Sequence, residues 1–413
     1  MRAGIARVAT GQTTTVANGP ADAILPSMTD SSAADVPTAR AELDALKLRR
    51  LRGLVREILP HNRFYAEKLA KVSHGIASFD EFATWPFTYK EELVEAAVMS
   101  GGPGNLTWPA DHYVRFHRTS GTHGRPLPVL DTASDWAWWM ECWAAILDRG
   151  GVRPGDRVLV ASSFGPYAGF WSGFDAVVSR QAMAIPTGGM STLARLELAQ
   201  SSGATVLFAT PSYALHLAEV AAEHKIDAAG LPIRLVIVAG EPGGSIPAVR
   251  QRIREAWAAD VLDHAGATEV GPWGAGDLAG HGLDVLEPWF HAEFLSVETG
   301  RAAATGELAE LVLTTLGRAG APVIRYRTGD LVRPRWPGAA GTAAGGACPW
   351  VRLEGGILGR TDDMLVVRGV NIFPGAIDGI VRSFPEVVEY RLTVSRRESL
   401  DQARLEIEAV SYT

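Results

Sequence analysis

Thr119-Ser120-Gly121-Thr122-His123-Gly124-Arg125-Pro126 sets three hydroxyls and two glycines between segments that both read as strands. Tyr113 to His117 before it favour extended backbone, and Leu127 to Leu130 after it resumes an apolar extended run, so the stretch is a tight strand-to-strand turn. Gly121 and Gly124 can take positive φ and bring backbone N–H groups close to an anion, while Thr119, Ser120 and Thr122 add donors. An ordinary Gly/Ser/Thr turn is the competing reading, since the Gly-Lys-Ser/Thr of a P-loop kinase is missing.

Outward from this turn the chain alternates short apolar runs with amphipathic segments of helix length. Val158 to Ala161, Thr205 to Ala209 and Leu235 to Ala239 are the runs, and they end at Ser162-Ser163, Thr210-Pro211 and Gly240-Glu241-Pro242-Gly243. That alternation predicts an α/β fold with parallel-rich sheets flanked by helices, and ligands in such sheets sit outside the carboxyl ends of the strands. Trp136, Trp139 and Trp143 share one helical face and read as core. On the amino-terminal side, residues 1 to 38 lack apolar periodicity and are expected to be disordered, with Met28 a candidate start. Leu43 to Ile58 is helical, and Thr88 with Glu91 reads as the capping box of another helix. On the carboxyl-terminal side, Pro337 to Pro349 is expected to be an exposed loop. After Gly359 follow a strand over Met364 to Val367, a helix carrying Ile377, Ile380, Val381 and Phe384, and strands near Tyr390 to Val394 and Leu405 to Val410.

The 413 residues allow two or three domains at roughly 150 residues each. An apolar fraction of 47%, 21% charged residues and a net charge of -7 describe a globular protein with no electrostatic footprint for nucleic acid or anionic membranes. No run is long and apolar enough for a membrane span, so cytoplasm is the expected compartment. Cys142 and Cys348 are too few for a disulfide framework or a cysteine-rich zinc site. Lysine occurs only at positions 47, 68, 71, 90 and 225.

Three further stretches carry chemistry. Asp263 to Glu269 places a hydroxyl, Thr268, and a carboxylate, Glu269, just past the apolar pair Val261-Leu262, where Glu269 could hold magnesium together with substrate phosphates; a helix cap by Thr268 is the alternative. Arg325 to Asp330 reads as a strand ending in a turn, with Asp330 suited to accept from both hydroxyls of a ribose. Gly359-Arg360-Thr361-Asp362-Asp363-Met364, followed by Arg368-Gly369-Val370-Asn371-Ile372-Phe373-Pro374, is the most specific stretch of all.

Taken in order with Thr119 to Pro126, Gly266 to Glu269 and Tyr326 to Asp330, it resembles the phenylacetate-CoA ligase family of the adenylate-forming enzymes, from about Glu42 to the end. The resemblance implies a large adenylate-forming domain (39–358) and a small, truncated α+β carboxyl-terminal domain (359–413). It implies activation of a carboxylic acid, expected to be aromatic, with ATP and magnesium to an acyl-adenylate, then transfer to coenzyme A. Delivery to a carrier protein and a non-catalytic nucleotide-binding role are the rival readings, and a homodimer is an assembly compatible with either. By the same resemblance Thr119, Ser120, Gly121, Thr122 and Gly124 hold the triphosphate. Gly240, Glu241 and Pro242 flank adenine, Gly266 is a further nucleotide-binding residue, Thr268 meets the α-phosphate and Glu269 the magnesium. Asp330 and Arg360 hold ribose, Asp362 is the hinge, and Arg368, Gly369, Val370 and Asn371 line the coenzyme A tunnel.

The chain departs from the family in three places. Ala265 stands where the family has a tyrosine against adenine, with His264 as a partial substitute. The Cys-x-Cys element is reduced to Cys348-Pro349-Trp350, so any structural zinc of relatives is expected to be missing. The lysine that ends the small domain of relatives is absent, which predicts slow adenylate formation. Phe164, Tyr167, Phe170, Trp171 and Trp273 are candidates for the acid pocket, with core packing as the competing role.

Overall fold

In the computed structural model, helix α1 (Arg40–Ile58) turns Leu43, Leu51, Leu54, Val55 and Ile58 to one buried face at three-to-four spacing. Its Lys47 is also buried and meets Glu287 at 2.5 Å, so the charge lost from water is compensated by a partner 240 residues away. The short helices α2 (Arg63–Lys68) and α3 (Phe79–Phe82) follow, capped by the side chains of Asn62 and Ser78. Tyr65 Oη accepts from the backbone N–H of Ile324 at 2.9 Å. Helix α4 (Lys90–Ser100) starts one residue later than the sequence suggests. Tyr89 is the cap, and Glu92 accepts from its N–H at 2.8 Å. Thr88 is drawn away from the helix because its backbone pairs with Arg325 and Arg327 and its hydroxyl donates to Ile324 O.

The structure describes residues 40–119, 125–337 and 349–362, then 365–367, 370–372, 387–397 and 400–409 with isolated positions between them. These belong to one unit, Pro37–Thr413. The disorder expected for residues 1 to 38, the loop of Pro337 to Pro349 and the helix of Ile377 to Phe384 therefore lie wholly or largely outside the described residues.

Strands β1 (Tyr113–Arg118) and β2 (Pro128–Thr132) form an antiparallel pair, as the flanks of the glycine-containing turn predict. Helix α5 (Ala133–Arg149), capped by Thr132, buries Trp136, Trp138, Trp139 and Trp143. Strand β3 (Arg157–Val160), helix α6 (Ala168–Ser179), strand β4 (Met183–Pro186), helix α7 (Thr192–Ser202), strand β5 (Val206–Ala209), helix α8 (Pro211–Glu223), strand β6 (Leu235–Val238) and helix α9 (Pro247–Trp257) then alternate. Strand β4 was not expected, because Met183 and Pro186 at an edge carry no strong β signal.

Strand β7 (Asp260–Ala267) is longer than the apolar pair at its start suggests, and β8 (Gly271–Gly276) and β9 (Gly282–Val285) follow it antiparallel. A second, antiparallel sheet contains β10 (Phe290–Ser296), β11 (Ala309–Thr315) and β12 (Tyr326–Val332). With β13 (Pro334–Arg335) and β14 (Arg352–Glu354), the described strands of the large sheet run β13-β14-β9-β8-β7-β6-β5-β3-β4. Pairings from β7 to β4 are parallel and the rest antiparallel. Strand β15 (Gly359–Arg360) adds to β12, setting Asp330 opposite Arg360. Beyond it lie the small pairs β16 (Leu365–Val367) with β17 (Val370–Ile372) and β18 (Val387–Arg397) with β19 (Leu400–Ala409). Asp330 is thus inside a strand, and Gly329 supplies a positive φ of 77° beside it.

Candidate active site

Strands β3, β5 and β6 end together, and the loops after them open onto two adjoining cavities of about 530 and 1310 Å3. The larger one reaches from Thr119 past Thr268 and Glu269 to Asp330, Arg360 and Asp362. Thr119 is buried and closes the base of the turn: its N–H donates to Leu127 O and its Oγ1 accepts from Leu127 N, both at 3.0 Å. Ser120, Gly121, Thr122 and Gly124 lie outside the described residues.

Thr268 and Glu269 sit in the turn between β7 and β8, so the helix that Thr268 might have capped is replaced by a strand. Glu269 is largely buried; its Oε1 accepts from Tyr326 Oη at 2.9 Å and lies 3.2 Å from Lys90 Nζ. Burial and the neighbouring Glu269 charge push the Tyr326 phenol well above its ordinary pKa, which keeps it a donor. Beneath this turn, fully buried Arg318 donates through Nη1 to Glu269 O at 2.7 Å and through Nε to Asp131 Oδ1 at 2.7 Å. A carboxylate fixed by a phenol and an ammonium suits a divalent cation shared with substrate phosphates, so these residues fit magnesium. Lys90 and Arg318 escaped the sequence reading, and Tyr326 entered it only as part of a motif, without its contact to Glu269. Only the Lys in Tyr89-Lys90-Glu91, at the start of a helix, could have hinted at a basic site.

Asp330 Oδ1 lies 3.0 Å from Arg360 Nη1, and Arg360 Nε lies 2.9 Å from Asp362 Oδ1. One guanidinium thereby joins the carboxylate chosen for ribose to the one chosen as hinge. Burial raises the Asp330 pKa to about 6, opposed mainly by Arg360. Of the tunnel candidates, Val370 and Asn371 lie on β17, while Arg368 and Gly369 fall outside the described residues.

Gly240, Glu241, Pro242 and Gly266 border the smaller cavity, which Asp330 and Arg360 also line. Gly240 takes a φ of 94°, and Glu241 Oε1 accepts from Ser212 N at 2.6 Å, fastening the loop to α8. His264, the partial substitute for that ring, borders both cavities. Its ring packs 4.5 Å from Trp143, and Nδ1–H donates to Gly274 O at 2.9 Å. Burial lowers its pKa to about 4, leaving a neutral imidazole. Among the acid-pocket candidates, Tyr167 and Phe170 line the larger cavity, whereas Trp273 is core and Phe164 and Trp171 pack on each other at 4.9 Å. No helix among the described residues is long and apolar enough to cross a membrane.

Comparison with known proteins shows the family and the fold. Residues 59–314 match the AMP-binding enzyme family, and residues 369–413 match the AMP-binding enzyme C-terminal domain. Phenylacetate-coenzyme A ligase of Pseudomonas putida is 30% identical over 382 residues, covering 90% of this chain and 84% of its own. The Escherichia coli (strain K12) enzyme of the same name is 31% identical, covering 89% and 82%. The crystal structure of 2-hydroxyisobutyryl-CoA ligase in its postadenylation state with R3-HIB-AMP superposes with a TM-score of 0.82 at 29% identity, covering 90% of this chain and 79% of that one. The thioesterification state of the same ligase, with 2-HIB-AMP and CoA, gives 0.73 at 30% identity over the same shares.

Proposed function

The chain belongs to the AMP-binding enzyme family, and from that premise we propose that it is an acid-CoA ligase of the phenylacetate type. The carboxylate oxygen of the acid attacks the α-phosphorus of ATP, pyrophosphate leaves, and the thiolate of coenzyme A then displaces AMP from the acyl carbon. The observation that carries this reading is the convergence of Glu269, Tyr326, Asp330 and Arg360 on one cavity that also holds Tyr167 and Phe170. The aromatic lining favours an aromatic acid.

Each residue has a role that follows from its position. Thr268 and the Thr119 to Gly124 turn donate to phosphate oxygens, placing the α-phosphorus in reach of the acid. Tyr326 holds the Glu269 carboxylate in one orientation toward magnesium, which would screen the charge of the leaving pyrophosphate. Asp330 accepts from the ribose hydroxyls while Arg360 keeps it ionised. Gly240, Glu241, Pro242 and Gly266 border the base. Residues 359–413 are the small domain, turning about Asp362 so that Arg368, Gly369, Val370 and Asn371 form the coenzyme A tunnel. A cytoplasmic homodimer is its proposed state.

Pyrophosphate release measured over a panel of aromatic and aliphatic acids, with mass detection of the acyl-CoA product, tests the reading. Release that is indifferent to coenzyme A, with acyl transfer to a carrier protein, would move the assignment to the carrier-delivering alternative. No release with any acid would leave a nucleotide-binding homologue.

A further inference from the structure

The smaller cavity joins the larger through Asp330 and Arg360, so it is where the base of a ribose-held nucleotide would lie. Its walls offer a purine little flat surface. Gly240 and Pro242 line it, and β7 contributes Asp263, His264, the buried methyl of Ala265, Gly266 and Ala267. The His264 ring also borders this cavity, but it is only 6% exposed and is held by Trp143 and Gly274 O. The remaining aromatic side chain on this cavity is Tyr390, half-buried on β18 of the carboxyl-terminal hairpin. Tyr390 pairs with Ile407 and Leu392 with Leu405, so these four share one apolar face of the hairpin. Ile407 and Leu405 on that face are 57% and 47% exposed, and the tyrosine is the member set into the cavity.

We propose that Tyr390 is the aromatic wall of the base subsite, supplied by the carboxyl-terminal hairpin beside the Ala265 methyl and the largely buried His264 ring of β7. A purine then stacks on a ring while the hairpin is docked and loses that ring when the hairpin moves away, which couples nucleotide affinity to docking. The proposal rests on the nucleotide-binding reading above.

Calorimetric titration of the full chain with ATP, and separately with tripolyphosphate, tests it. Tyr390→Leu keeps the apolar hairpin face and removes the ring; it should weaken ATP about tenfold or more and leave tripolyphosphate unchanged. Tyr390→Phe should bind ATP like the parent. Adding Ala265→Tyr to Tyr390→Leu should recover most of the loss, by rebuilding a ring from the strand. Parent-like ATP affinity in Tyr390→Leu would overturn the proposal, as would equal losses for ATP and tripolyphosphate. A parent chain that binds tripolyphosphate but no ATP would instead overturn the nucleotide reading itself, and the proposal with it.

Discussion

Lys90 Nζ lies 3.2 Å from Glu269 Oε1, an ammonium from the first turn of α4 touching the carboxylate at the β7–β8 turn. Both border the larger cavity, so two opposite charges are placed where phosphates would enter. Glu269→Gln should lower pyrophosphate release about a hundredfold or more and abolish its stimulation by magnesium, since a preorganised electrostatic partner is worth roughly 3 kcal/mol or more at a transition state. Lys90→Met should cost roughly tenfold, expressed in the KM for ATP and not in that for the acid. Initial rates over magnesium and ATP concentrations check both; a Lys90→Met enzyme with parental ATP dependence would reduce Lys90 to a surface ion pair.

Asp330 leads to a pH prediction. With its pKa raised to about 6, it is ionised at pH 7.5 and becomes protonated as pH falls through 6, losing acceptor capacity toward a ribose. ATP affinity should therefore drop between pH 7.5 and 5 in the parent. Asp330→Asn should bind more weakly by about 2 kcal/mol at pH 7.5, near thirtyfold, and vary little over the same range. Fluorescence titration at each pH distinguishes the two profiles.

Asp263 bears on stability instead. Burial raises its carboxyl to about 6, against which the Ser245 hydroxyl donates. A folded pKa above the unfolded value of 3.8 favours the fold below pH 3.8, and that contribution is lost as pH rises through 6. Above pH 7 the ionised group costs up to about 3 kcal/mol. Asp263→Asn keeps an acceptor for Ser245 without the charge, so it should raise the urea midpoint at pH 8 and have a much smaller effect at pH 4. Equal shifts at both pH values would mean that the burial cost is not electrostatic.

Arg318→Met tests the support beneath the site. It would leave Asp131, itself fully buried, without the guanidinium that also holds Glu269 O. Removing one partner of a buried pair costs about 3–5 kcal/mol. Chemical denaturation should show that loss, and Asp131→Asn added to Arg318→Met should recover part of it by removing the stranded charge.

Local chemistry explains which parts of this protein are readable from sequence. The parallel strands β5 and β6, and β3 from Val158 to Val160, are runs of apolar residues buried on both faces, so composition alone announces them. Asp330 and Arg360 are readable as a pair only through motif order, because the β12–β15 register that sets them opposite each other spans 30 residues. Edge strand β4 has no such composition. The displacement of the α4 cap from Thr88 to Tyr89 depends on backbone pairing with Arg325 and Arg327, far along the chain. Arg318 under Glu269 is invisible for the same reason, since its partner Asp131 lies 187 residues earlier.

The contact of Tyr65 with Ile324, 259 residues apart, also sets a timetable for synthesis. Leu51, Leu54, Ile58, Tyr65 and Phe82 share one apolar cluster with Leu316 and Ile324. At about 5–20 residues per second, the early half of that cluster waits on the order of tens of seconds for its late half to emerge. Until then Leu51, Leu54, Ile58, Tyr65 and Phe82 lack the late partners that complete their cluster, and contacts of such sequence separation slow folding.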